Sequence, residues 1–243
     1  MLRRLRIVML SGALLAVLPA ATHAAVLKPH GAPNHKIGHS TSTNWSGYAV
    51  SGAGPYKSVS AHWTQPSVNC TKTPTAYSSF WVGLDGDTTN TVEQTGTDAD
   101  CSSGSPVYYG WYEMYPKFPV NYSNPLSPGD SMSASVTYLG SGTFRLTLTD
   151  ATKGWTKTTQ QKLKHAKLGS AEVIAEAPSS SGGPLPLADF GTANFSSATA
   201  NGSSMASLPG LDPITMVSSK GAVEAKPSSM TSAGAFSDTW YSQ

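Results

Sequence analysis

Eight short runs of one kind decide what this chain can fold into. They are "WSGYAV" (45–50), "VSAHWTQP" (59–66), "SSFWVGLDG" (78–86), "TVEQTG" (91–96), "VYYGWYEMYP" (107–116), "SMSASVTYL" (131–139), "TFRLTLTD" (143–150) and "GWTKTTQQ" (154–161). Each is enriched in β-branched or aromatic residues and bounded by Gly, Pro or Asp. Half-buried strands alternate with period two and turn back after a short run, so this pattern predicts an all-β antiparallel sandwich. No internal repeat and no long helical pattern competes with it. One segment is ambiguous. "SAEVIAEA" (170–177) holds good helix formers, and Glu172 and Glu176 share a face in either geometry, because positions i and i+4 coincide on a helix and on a strand. The breaker-rich "PSSSGGPLP" that follows it, and the all-β surroundings, favour a strand.

Upstream of these runs, Arg3, Arg4 and Arg6 precede the apolar run "IVMLSGALLAVLPA", and "ATHA" supplies small residues before a cut near Ala24. The expected organisation is a signal peptide over 1–24, a flexible arm or short pro-segment over 25–43, and a β-sandwich domain over 44–243. The apolar run is too short for a comfortable membrane span, so the expectation is a soluble protein, secreted to an extracellular or periplasmic space. Taking the three leader arginines from the sixteen Lys and Arg leaves thirteen, against fourteen Asp and Glu. Such a balance gives nucleic-acid binding little support. Charged residues are only 12% of the chain, roughly half the usual share, and Ser, Thr and Gly replace them. An oxidising compartment pairs the two cysteines, Cys70 and Cys101, and the bridge closes a loop of about 30 residues for roughly 3 kcal/mol.

The chemistry narrows by elimination. There is no G-x-S-x-G elbow, no H-E-x-x-H and no P-loop. Beyond the arm the histidines are His62 and His165, too few for a metal cage or a histidine triad, and the cysteines are committed to each other. What is left is carboxylates, amides and aromatic rings. A glutamate in a cleft can draw a proton from water as that water attacks a carbonyl, and a glutamine amide, neutral at every pH, can donate to the oxyanion that forms. Alternation in "TVEQTG" places Val92, Gln94 and Gly96 on one face, which leaves open whether Gln94 is solvated or presented to a substrate.

Taken together and in order, "NWSGYAV", "VSAHWTQPSV", "FWVGLDGD", "VEQTGTD", "WYEMYP", "PGDSMSASVTY" and "SAEVIAEAP" resemble the eqolisin family of glutamic peptidases. The likeness runs from about Asn44 to Phe195 and is loose after about Asn201. It implies a lectin-like (concanavalin A-like) sandwich of two large sheets, with polypeptide substrate lying across a concave face. By position in the motifs, the catalytic pair is Gln94 of the Q-T-G and Glu176, the second Glu of A-E-x-x-x-E. Trp45 and Trp81 wall the cleft, and Asp85, Asp98 and Glu113 are nearby acidic groups. The resemblance implies an endopeptidase favoured at acidic pH, without metal or cofactor, and expected to be a monomer. A lysine group at 153, 157, 162, 164 and 167 departs from the more acidic family members.

Two rival readings use the same residues. "EVIAE" is similar to the paired-carboxylate strand of lectin-like retaining glycosidases, with Glu172 and Glu176 as the pair, although the middle position is Ile174. A binding module without catalysis would use the tryptophans and tyrosines as a carbohydrate or peptide platform and would tolerate loss of Glu176.

Overall fold

Where a chain like this carries a two-sided sheet, its strands lose the alternation that marks a half-exposed one. That contrast organises the structure, a computed structural model describing residues 36–38 and 40–243. The expected leader (1–24) and most of the expected arm (25–43) lie outside the described residues. Among the described residues, thirteen strands have five residues or more. They are β1 (Trp45–Ser51), β2 (Ser58–Thr64), β3 (Ser79–Leu84), β4 (Val92–Ser102), β5 (Ser105–Tyr115), β6 (Ser131–Gly140) and β7 (Thr143–Asp150). After them come β8 (Trp155–Lys162), β9 (Ser170–Glu176), β10 (Thr192–Ala200), β11 (Leu211–Val217), β12 (Val223–Pro227) and β13 (Phe236–Trp240).

The first sheet runs β11-β1-β9-β3-β4-β5 and the second β8-β7-β6-β2-β10-β13-β12-β11, all antiparallel. Strand β11 serves both: Leu211–Ile214 pair with β1, and Met216–Val217 with β12. Thr41–Ser42 lies parallel to Thr215–Met216, so pairing begins upstream of Asn44. The fold is the expected antiparallel sandwich.

Between the sheets, Tyr48, Phe80, Val82, Leu84 and Val173 meet Val59, Trp63, Val136, Phe144, Leu146 and Phe195. The second sheet keeps its alternation, with Val59, Ala61 and Trp63 inward and Ser58, Ser60, His62 and Thr64 outward along β2. The first sheet does not. Its face turned away from the second sheet gathers Trp45, Ala49, Trp81, Val92, Trp111, Ile174 and Ile214, and β9 is buried at all seven positions. Strand β9 therefore settles the ambiguity of "SAEVIAEA": it is bonded on both sides, to β1 and β3, and that pairing overrides the helix propensity of Ala and Glu.

Cys70 and Cys101 are joined, tying the loop ahead of β3 to the far end of β4. Of the lysine group, Lys157 and Lys162 lie on the edge strand β8, where charge discourages edge-to-edge association, and Lys153 pairs with Asp130 at 3.3 Å.

Candidate active site

Register sorts the side chains on the outer face of the first sheet into three rows. Trp45, Glu176, Ser79, Asp98 and Tyr109 lie side by side in one; Gly47, Ile174, Trp81, Gly96 and Trp111 form the next. Ala49, Glu172, Gly83, Gln94 and Glu113 make up the third. Glu176 and Gln94 are thus on one face, two strands apart, in the rows on either side of Trp81.

Trp81 spans that gap. Its Nε1 donates to Glu176 Oε2 at 2.8 Å, and its benzo ring lies over Gly83. A side chain at 83 would come within 2.8 Å of Trp81 Cζ3 and 3.2 Å of Gln94 Cβ. The base candidate and the amide candidate therefore approach one indole from its nitrogen end and its benzo end. Trp45 meets the same indole edge-on, with centroids 4.9 Å apart. The glycine of "QTG" has a steric cause: a Cβ on Gly96 would stand 2.3 Å from Phe80 O and 2.5 Å from Trp81 Cβ. Only a residue without a side chain lets β4 pass that closely beside the tryptophan.

Gln94 Nε2 donates to Glu113 Oε2 at 2.8 Å. Burial drives the Glu113 carboxyl well above the ordinary carboxylate range; the Glu176 charge adds to the rise and the Gln94 hydrogen bond opposes it. Asp98 accepts from Trp111 Nε1 at 2.6 Å, and Tyr109 donates its hydroxyl to Asp100 Oδ2 at 2.9 Å. Burial, then the Asp98 and Asp100 charges, push the Tyr109 phenol up.

Asp85 stands apart from this face. Just past β3, with φ +68°, it accepts the backbone N–H groups of Lys167, Leu168 and Gly169 at 2.7–2.9 Å. It fixes the chain entering β9 and so sets where Glu176 lies, without being one of the groups around Trp81. Glu172 faces another company. The charges acting on it are those of Asp87, Asp85 and Glu93, and burial holds its carboxyl well above the usual range. Glu172 and Glu176 share a face yet belong to separate clusters, so the glycosidase pairing finds no partnered carboxylates here.

Of the residues singled out from sequence, Trp45, Trp81, Gln94, Asp98, Glu113 and Glu176 come together on one face. Motif reading passed over Trp111, Tyr109, Asp100 and Glu93. One signal could have raised them. In a chain with fourteen acids, Asp85, Asp87, Glu93, Asp98, Asp100, Glu113, Glu172 and Glu176 fall within or beside the strands of a single sheet, and all eight are buried.

The comparisons agree on one lineage. Residues 43–239 match the Peptidase A4 family, a span that reaches past Phe195 and takes in β11, β12 and most of β13. Aspergillopepsin-2 of Aspergillus niger is 29% identical over 204 residues, covering 72% of this chain and 68% of the relative. Scytalidopepsin B of Scytalidium lignicola is 36% identical over 114 residues, covering 46% and 42%. A solved scytalido-glutamic peptidase with a transition-state-analogue inhibitor superposes with a TM-score of 0.70 at 25% identity, covering 82% of this chain and 98% of that one. The aspergilloglutamic peptidase of Aspergillus niger gives 0.59 at 28% identity, covering 68% and 99%. The three-row site and the sandwich that carries it thus fall inside one family's matched span, and the chain belongs to the Peptidase A4 family, the eqolisins, hydrolases of peptide bonds.

Proposed function

We propose that this protein is a secreted acid endopeptidase in which Glu176 and Gln94 carry out direct attack of water on the peptide carbonyl. Glu176 takes a proton from the water as its oxygen bonds to the carbonyl carbon, and the carbonyl oxygen becomes an oxyanion. Gln94 donates an amide N–H to that oxygen. The C–N bond then breaks as Glu176 hands its proton to the leaving nitrogen, which restores the carboxylate.

The observation that carries the reading is the coupling of the two candidates. Glu113, which receives an N–H from Gln94, has its carboxyl pushed up by burial and then by the Glu176 charge, while Trp81 holds one oxygen of Glu176. A glutamine amide has two N–H groups. Glu113 orients the amide, and an amide N–H is the donor we assign to the oxyanion. Asp98, Trp45 and Asp85 support the arrangement by packing or by fixing the strand that carries Glu176. Polypeptide is the substrate class; the solved relatives carry a transition-state-analogue inhibitor in one case and the tripeptide Ala-Ile-His in another. Export rests on the leader-like residues 1–24.

The test is digestion of unfolded casein between about pH 3 and 5, near the range where a carboxyl titrates, by the wild type beside Glu176→Gln and Gln94→Ala. Loss of an oxyanion donor should cost about 10²–10³ in kcat, and loss of the base should remove measurable cleavage. Circular dichroism at pH 4 should be unchanged in both. Wild-type rates in either folded variant refute the assignment.

A further inference from the structure

Ser79 is one of the groups on this face that the mechanism above leaves unused. It opens β3 in the row beside Trp81, as the cross-strand partner of Glu176 on one side and of Asp98 on the other. Its side chain is fully buried and its Oγ makes no hydrogen bond, whereas the hydroxyl of its neighbour Ser78 is satisfied by Ala99 O. An orphaned buried hydroxyl is a cost to the fold. Directly opposed residues on antiparallel strands hold their Cβ atoms about 4.5–5.5 Å apart. A serine hydroxyl there is one rotamer change, or one water, from either carboxylate.

Trp81 Nε1 donates to Glu176 Oε2, and Trp111 Nε1 to Asp98 Oδ1. Both of those donors are fixed by packed indoles. A fixed donor favours the ionised carboxylate only. A hydroxyl that can rotate donates to the carboxylate while it is ionised and can be redirected once it is protonated, since it has one donor and two lone pairs.

Resting on the reading of Glu176 as the base, we propose that Ser79 is a positioning residue that follows the proton. Its hydroxyl donates to Glu176 while that carboxylate is ionised, and turns to donate to Asp98 once Glu176 has taken the proton of the attacking water. No bond to Ser79 forms or breaks. Its own proton stays on Oγ throughout, and the water proton stays on Glu176 until it passes to the leaving nitrogen. The titratable groups in its row are Glu176 from β9, Asp98 from β4 and Tyr109 from β5, with Asp100 and Glu113 farther along β4 and β5.

The experiment measures kcat and KM of the full protein on a peptide substrate from about pH 2.5 to 6, for Ser79→Ala and Ser79→Thr, with Glu176→Gln in parallel. Ser79→Ala should lower kcat about ten-fold, the worth of one hydrogen bond, with KM within about two-fold. Its acid limb should move to higher pH, because ionised Glu176 has lost a donor. Ser79→Thr, which keeps the hydroxyl, should restore the limb. An unchanged limb and kcat in Ser79→Ala, or a folded Ser79→Thr that behaves as the alanine variant does, overturns the proposal. Where Glu176→Gln is inactive in the same series, only the role of Ser79 has failed; where Glu176→Gln stays active, the catalytic reading itself has failed.

Discussion

Moving this protein from pH 4 to pH 7 should strip away several kcal/mol of stability, and Glu93 should account for a measurable part. Glu93 sits on β4 between Leu84 and Met114, fully buried. Burial first, then the Asp85 charge, push its carboxyl up to about 9, with the Thr91 hydroxyl opposing. The unfolded chain releases this proton near pH 4.5, whereas the fold keeps it. Stability from Glu93 is therefore complete below pH 4.5 and is lost as pH rises toward 9. At 1.36 kcal/mol per unit the whole window is worth about 6 kcal/mol, of which about 3 is gone by pH 7. Asp238, buried and pushed up to about 8 with the Ser46 hydroxyl opposing, adds a loss of similar size and the same sign, and Glu172 is shifted in the same direction. Total stability of a domain is about 5–15 kcal/mol, so neutral pH lies near the edge of the folded range.

Urea titration at pH 4 and pH 7, with Glu176→Gln as the background to prevent self-digestion, reads this directly. The midpoint should fall steeply between the two pH values, and adding Glu93→Gln should return about 3 kcal/mol of the loss while changing little at pH 4. A midpoint that does not move between pH 4 and 7, or a pH slope that Glu93→Gln leaves untouched, refutes the linkage argument.

Three further outcomes follow from the same contacts. Trp81→Phe deletes the N–H that holds Glu176 Oε2 and should lower kcat by about 10- to 100-fold, the worth of a hydrogen bond to a charged group, in a protein that still folds by circular dichroism. Asp85→Ala strands three backbone N–H groups ahead of β9 and should cost about 3 kcal/mol in urea at pH 4, with activity falling as Glu176 loses its fixed approach. Gly96→Ala drives a methyl into Phe80 O and Trp81 Cβ, and should cost about 1–3 kcal/mol or more by the same measurement.

Strands β1 to β8 were legible as β-branched or aromatic runs between turn signals, and in β2, β6 and β7 alternation reinforces that signal because one face meets the core and the other stays polar. The last four strands were not. In β10 the register slips between Ser196 and Thr199, with Ser197 at φ +53°, so its period breaks midway. In β11, Pro213 argues against a strand, yet at that point β11 has a neighbour on one side only, where proline is tolerated. Strands β12 and β13 are five residues each, too short to display a period.

For the site, the limit is of another kind. Glu176, Gln94 and Trp81 were each visible within a motif, but a motif carries no register between strands distant in sequence. Which side chains share a row depends on β9 pairing with both β1 and β3, bringing residues 45, 79, 98, 109 and 176 into line. A shift of one residue in β9 would turn Glu176 into the core between the sheets. Asp85 guards against that slip: its three backbone contacts lie just upstream of Ser170, where β9 begins, so the acid that sequence placed beside the chemistry acts on it through register. Ser79 escaped notice for the complementary reason. A serine at the head of an aromatic strand has no pattern of its own, and its position between two carboxylates exists only once three strands are aligned.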